Sequence, residues 1–138
     1  MKMKTTDRNK KLFIAAFLTL FAFANLNAAT AGNTASVLDN YILGLSLQQE
    51  ESFYSASQYY LEVVAQNPAF TDAWFRLAEC SYKLGEFDLA LQYLDNAQKY
   101  EKNNTAIQNL RGMVLVSLGR IDEGRAIFND ILKNIRMM

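Results

Sequence analysis

Residues 37–138 divide into three consecutive segments of 34 residues, with no gap and nothing left over. Gly44, Ala78 and Gly112 stand 34 apart, as do Ala56, Ala90 and Gly124, and Tyr60, Leu94 and Phe128. A fixed period of this length means one supersecondary unit repeated and stacked, which decides the architecture before local propensity does. The units are 37–70, 71–104 and 105–138. Stacks of this kind usually present a surface to another macromolecule and seldom build a catalytic site of their own.

Each unit holds two helical stretches around a short turn. In the second unit the spacing predicts helix A over Asp72–Leu84 and helix B over Phe87–Tyr100. Trp74, Leu77, Ala78 and Tyr82, then Phe87, Ala90, Leu91, Leu94 and Ala97, recur three and four apart, so each helix has a wide buried stripe. Gly85 and Gly119 stand where helix A must end, because glycine takes the left-handed cap conformation without a Cβ penalty. The first unit has Glu51 at this place, followed by Ser52 as the expected N-cap of its helix B. Asn67-Pro68 and Asn103-Asn104-Thr105 separate one unit from the next. Small residues at 44, 78 and 112 and at 56, 90 and 124 let the paired helices approach closely. Tyr60, Leu94 and Phe128 are then expected to fill the space between neighbouring units.

The formal net charge of zero averages two unlike segments. Residues 1–31 carry Lys2, Lys4, Arg8, Lys10 and Lys11 against Asp7 alone. The remainder holds 9 basic and 13 acidic side chains, a net of −4, which is poorly suited to a phosphate backbone and argues against nucleic acid. Residues 1–31 read as a secretory signal: a positive start, the apolar stretch Leu12–Ala24 broken only by Thr19, then small residues. Ala29-Thr30-Ala31 supplies a cleavage site after Ala31, and cutting after Ala28 is the alternative. A membrane-spanning helix needs about 20 apolar residues, more than Leu12–Leu26 provides. The expectation is a cleaved export signal at 1–31, a short linker at 32–36, and a product in the periplasm or outside the cell. Cys80 is the only cysteine, so no intramolecular disulfide forms and packing must supply the stability.

The second unit carries a family resemblance. Trp74, Leu77, Ala78, Ala90, Leu94 and Ala97 occupy the places of the tetratricopeptide signature, although Ser81 stands for its Tyr and Lys102 for its closing Pro. The first unit matches at Leu43, Gly44, Ala56, Tyr60 and Pro68, with Asn40 for Trp. The third matches at Gly112, Gly119 and Phe128, with Gln108 for Trp. The chain thus resembles a tetratricopeptide repeat protein with three repeats. That resemblance implies an all-α solenoid of three antiparallel helix pairs whose A helices line a concave groove. Carried over residue by residue, the groove is Tyr41, Leu45, Gln48 and Gln49 from the first unit. The second contributes Phe75, Glu79, Tyr82 and Lys83, and the third Asn109, Met113, Val116 and Ser117. Half of these residues are apolar or aromatic and only Glu79 and Lys83 are charged, so a peptide with hydrophobic anchors suits them better than an acidic tail. For each residue taken singly, ordinary packing is the competing explanation. Family members that hold chaperone C-termini use a carboxylate clamp of Lys, Arg and Asn. Tyr41, Leu45, Arg76, Ala106 and Leu110 stand at its places here, and no clamp or chaperone-tail ligand is expected.

Catalysis has little material. The chain has no His, and Cys80 falls mid-helix, where a buried structural thiol is the ordinary case. No cofactor or metal is implied. The expected function is a non-catalytic scaffold that binds an unidentified protein or peptide. The alternative is an envelope assembly subunit whose partner is a copy of itself, using Met137-Met138 and an Ile stripe. A shortened relative of a longer repeat protein is the third reading. Helix B of the last unit has Ile121, Ile127, Phe128, Ile131, Leu132 and Ile135 on one stripe with Arg125, Asn129, Lys133 and Arg136 opposite. It is therefore expected to be covered on one face and to close the stack.

Overall fold

The computed structural model describes residues 36–138. The signal expected at 1–31, its cleavage site and nearly all of the 32–36 linker lie outside the described residues. Among the described residues there are six helices and no strand. They are α1 (36–49), α2 (Phe53–Gln66), α3 (Thr71–Lys83), α4 (Phe87–Tyr100), α5 (Thr105–Ser117) and α6 (Ile121–Arg136). Val37–Met138 form a compact unit, in which α3 packs on both α2 and α4, and α5 on both α4 and α6. None of the described helices is long and apolar enough to cross a membrane.

Each odd helix ends in the same closed turn. Ser52 N–H donates to the Leu47 carbonyl at 2.9 Å, Glu86 N–H to Ser81 at 2.8 Å, and Arg120 N–H to Leu115 at 2.9 Å. The residue before each donor is left-handed: Gly85 at φ 79°, Gly119 at φ 78°, and Glu51 at φ 58°. The first turn thus forces a Cβ-bearing residue into a conformation its two counterparts reach with glycine. Ser52, expected as an N-cap, makes no side-chain capping bond. Its backbone (φ −80°, ψ 59°) is outside the extended region from which a cap side chain reaches the first helical amides. Asn104 is extended (φ −78°, ψ 114°) and does cap, accepting from Ala106 N–H at 2.9 Å and Ile107 N–H at 3.2 Å.

The core forms two apolar clusters. One gathers Val37, Ala56, Tyr60, Val63, Ala73, Leu77 and Cys80; the other gathers Ala78, Ala90, Leu94, Ala97, Ile107 and Val114. Trp74 packs against both, lies near Tyr93 at 6.1 Å between ring centroids, and donates its indole N–H to the Pro68 carbonyl at 2.8 Å. Tyr60 and Phe128, expected between neighbouring units, reach onto the glycine of their own unit. A Cβ at Gly44 would stand 2.5 Å from Tyr60 Cε1, and one at Gly112 2.6 Å from Phe128 Cε1. The second unit solves the same packing with Ala78 and Leu94, both fully buried. One place is small because its partner is large.

The last helix does not close the stack as expected. Only Gly124 of α6 is buried, with Ile127, Phe128 and Ile131 half-buried. Ile121, Leu132 and Ile135 on the same stripe are exposed, because α5 covers one side of the stripe and no other described helix packs on the rest.

Candidate functional site

The A helices α1, α3 and α5 line a common open cavity of about 310 Å³. From α3 come Phe75, Glu79, Tyr82 and Lys83, one turn apart along one face. Opposite them stand Ala106, Asn109, Leu110 and Met113 of α5, again at three- and four-residue spacing, and Gln48 reaches in from α1. The apolar part consists of Phe75, Tyr82, Leu110 and Met113. Tyr82 is supported from behind by Phe87, with ring centroids 5.8 Å apart.

Most of the polar groups on the α1–α3 side already have partners. Tyr60 Oη donates to Gln48 Oε1 at 2.8 Å, and Gln48 Nε2 donates to Glu79 Oε2 at 3.0 Å. Arg76 Nη1 donates to the same Glu79 oxygen at 3.1 Å, while its Nε lies 3.5 Å from Asp72 Oδ2. Tyr41 Oη donates to Asp72, extending the chain of contacts along α3. Burial alone would lower the Arg76 pKa, but Asp72 and Glu79 more than offset it and hold the guanidinium above its ordinary value. Tyr60 is raised by burial first, then by Cys80 and Glu79 against the opposing pull of Arg76, so its hydroxyl stays protonated and remains a donor. Lys83 and Asn109 form no hydrogen bond or ion pair among the described residues. A ligand would therefore meet an apolar floor, one ammonium and one amide.

Seven of the twelve residues expected in the groove line this cavity: Gln48, Phe75, Glu79, Tyr82, Lys83, Asn109 and Met113. Tyr41 does not; it packs on Phe70 and Tyr60, with centroids 4.9 and 5.8 Å away. Leu45 is half-buried against the first core cluster. Gln49 and Ser117 are exposed at the ends of α1 and α5, Ser117 donating to the Met113 carbonyl. Val116 is partly exposed and touches the place a Cβ on Gly124 would occupy, so it belongs to the α5–α6 contact. Ala106 and Leu110 line the cavity without being among the expected twelve. Their three- and four-residue spacing from Asn109 and Met113 was the available signal. By the 34-residue period, Phe75, Glu79, Asn109 and Met113, rather than Arg76, Ala106 and Leu110, correspond to Tyr41 and Leu45. None of these places holds Lys or Arg.

Cys80 is fully buried, and its thiol is pushed up to about 12, first by burial and then by Glu79, with Arg76 opposing. A thiol in that state is a poor nucleophile. Among the described residues, no group of three or more His, Cys, Asp or Glu side chains gathers as a metal site would require.

Three stacked helix pairs with a groove across their first helices define an α-solenoid of the interaction-module type. Residues 47–114 match the family model described as the tetratricopeptide repeat. That stretch, from the end of α1 into α5, belongs to the family. No curated protein matches the chain. Among solved structures, the tetratricopeptide repeat domain of Arabidopsis OM64 is similar at a TM-score of 0.69 and 24% identity, covering 72% of this chain and 83% of that one. The second tetratricopeptide repeat domain of human RPAP3, in complex with the HSP70 peptide SGPTIEEVD, gives 0.68 at 17% identity and the same coverage of 72% and 83%. MamA of AMB-1 gives 0.63 at 25% identity and 67% of this chain, which spans only 51% of the MamA chain. For OM64 and RPAP3 the likeness concerns the fold alone.

Proposed function

We propose that this chain is a non-catalytic interaction scaffold that holds a peptide segment of a partner protein in the cavity between α3 and α5. The observation that carries this reading is the continuous apolar floor of Phe75, Tyr82, Leu110 and Met113, open to solvent and flanked by Lys83 and Asn109. An apolar side chain of the ligand would enter between Phe75 and Met113, and the Asn109 amide suits a backbone amide beside it. The peptide in the RPAP3 complex supports the use of such a groove for peptides. Its acidic EEVD end is a poor guide to the ligand here, since the places equivalent to Tyr41 and Leu45 hold Phe75, Glu79, Asn109 and Met113. The composition of residues 1–31 further supports work outside the cytoplasm, after cleavage near Ala31 or Ala28.

A displayed random-peptide library panned against residues 32–138 tests the groove. Peptides with an apolar anchor should be enriched and should lose at least roughly tenfold in affinity, about 1.4 kcal/mol, in Ala106→Glu/Met113→Glu. Both side chains are exposed on α5, so the fold should tolerate the change. Enrichment that survives the double substitution sinks the groove reading. Export is tested separately by fusing residues 1–36 to a reporter active only outside the cytoplasm, where an inactive fusion counts against it.

A further inference from the structure

We propose that copies of this chain associate head to tail, the outer face of α6 in one copy receiving the outer face of α1 in the next. The internal junctions are the template. In the first unit Val63 and Val64 of α2 are buried where α3 packs on it, at 0% and 5% exposure. In the second, Ala97 of α4 is fully buried and Gln98 accepts from Arg111 of α5 at 3.1 Å. The 34-residue period places Ile131 and Leu132 of α6 on these positions. Leu132 is 53% exposed, and Ile135 on the same stripe is 60% exposed. The face that receives a following helix twice within the chain is therefore built in apolar residues a third time and left open.

The other end offers the matching half. Leu43 of α1 corresponds to Leu77, which is fully buried in the cluster that holds Val63 and Val64. Leu43 itself is 47% exposed, and its neighbours Leu38 and Ile42 are also exposed. Polar outer faces close stacks of this kind, whereas both outer faces of the described helices expose apolar side chains. Charge argues against pairing two α1 faces. From 36 to 51 the only charged residues are Asp39, Glu50 and Glu51, whereas the last turn of α6 carries Lys133 and Arg136. Asp39 falls at the place of Ala73 and Ile107, inside the junction, where an α1-to-α1 contact would set like charges together. Head-to-tail contact sets only one such carboxylate in each junction. The α4–α5 junction shows that a charge is tolerated there: Arg111, at the place of Leu43, donates to Asp95 at 2.6 Å. A twofold contact through α6 would cover one open face and leave the other bare. Head-to-tail contact covers both, and since it is heterologous it can propagate beyond a dimer. Leu38 and Ile42 stand at the places of Ala106 and Leu110, which line the groove, so a docked copy would lengthen the groove wall; the inference does not rest on the proposed ligand.

Sedimentation velocity on residues 32–138, which contain the whole compact unit, reads the association directly. The weight-average mass of the wild type should rise with concentration through the dimer without levelling there. Leu43→Asp and Leu132→Asp should each be monomeric, each having one spoiled and one intact face. Their equimolar mixture should recover a dimer and stop, because only one productive junction remains. Both sites are half exposed, and Leu43→Asn with Leu132→Asn replaces the pair if either aspartate lowers the helical circular dichroism. A wild type that stays monomeric at its solubility limit overturns the proposal. So does a Leu43→Asp chain that still dimerises, which would assign a twofold α6 contact, or a mixture that remains monomeric.

Discussion

At the scale of single residues, the repeat is held in register by exchanging volume between two places 16 residues apart. Glycine faces an aromatic ring in the first and third units, Gly44 with Tyr60 and Gly112 with Phe128, whereas alanine faces leucine in the second. Gly44→Ala should cost about 1–3 kcal/mol, since the Tyr60 ring must move to admit the new methyl group. In a Tyr60→Leu background the same change should cost much less, a coupling that a double-mutant cycle of urea unfolding measures. An equal cost in both backgrounds would remove the ring contact as the cause. Cys80 gives a second prediction. Its thiol is held above the ordinary 9.0, at about 12, mainly by burial. Below 9.0 the thiol is neutral in both folded and unfolded chains, and its contribution is fully present. Above that, the unfolded chain releases the proton while the folded one keeps it, so stability falls as pH rises towards about 12. Urea midpoints on either side of pH 9.0 should fall less in Cys80→Ala than in wild type. A parallel fall in the two chains would show that other groups carry the alkaline loss.

At the scale of elements, helix B of the second unit is legible to the residue, and helix A begins and ends one residue before its expected bounds. The 3.6-residue stripe and the turn glycines mark these limits strongly. What spacing could not convey is the state of a backbone. Glu51 closes the α1–α2 turn in the left-handed region without a glycine, and Ser52 stands at the N-cap position without capping. A substituted signature residue also leaves a physical trace. Trp74 and Tyr93 pack together in the second unit, but the same places in the third hold Gln108 and Ile127. Both line an open cavity of about 530 Å³, with Gln98 and Arg111 on one side and Met137 on the other. Gln108→Trp with Ile127→Tyr should fill part of it and raise stability by about 1 kcal/mol from added apolar burial. The rise should appear in the thermal midpoint. An unchanged or lower midpoint would mean that the larger side chains cannot settle against α6.

At the scale of the whole molecule, the period reveals the scaffold and seven of the nine cavity-lining residues, yet it does not distinguish groove from packing at Tyr41, Leu45 and Val116. Those three have the right phase on their helices. What decides their role is a neighbour distant in sequence: Phe70 and Asp72 for Tyr41, the first core cluster for Leu45, and Gly124 for Val116. The same long-range logic governs stability along the stack. Each unit touches only its neighbours, so protection should follow the number of covered faces rather than the quality of any one helix. Here α3 and α4 are packed on both sides, while α6 leaves Leu132 and Ile135 in solvent despite its clean apolar stripe. Amide exchange at a concentration low enough to keep the chain monomeric should therefore be slowest in α3 and α4 and fastest in α6. Under conditions that favour association, protection of α6 should rise towards that of α4, and Leu132→Asp should hold it at the monomer value. If α6 exchanges as slowly as α3 in the dilute wild type, its free face is not a source of instability, and covering it would bring little gain.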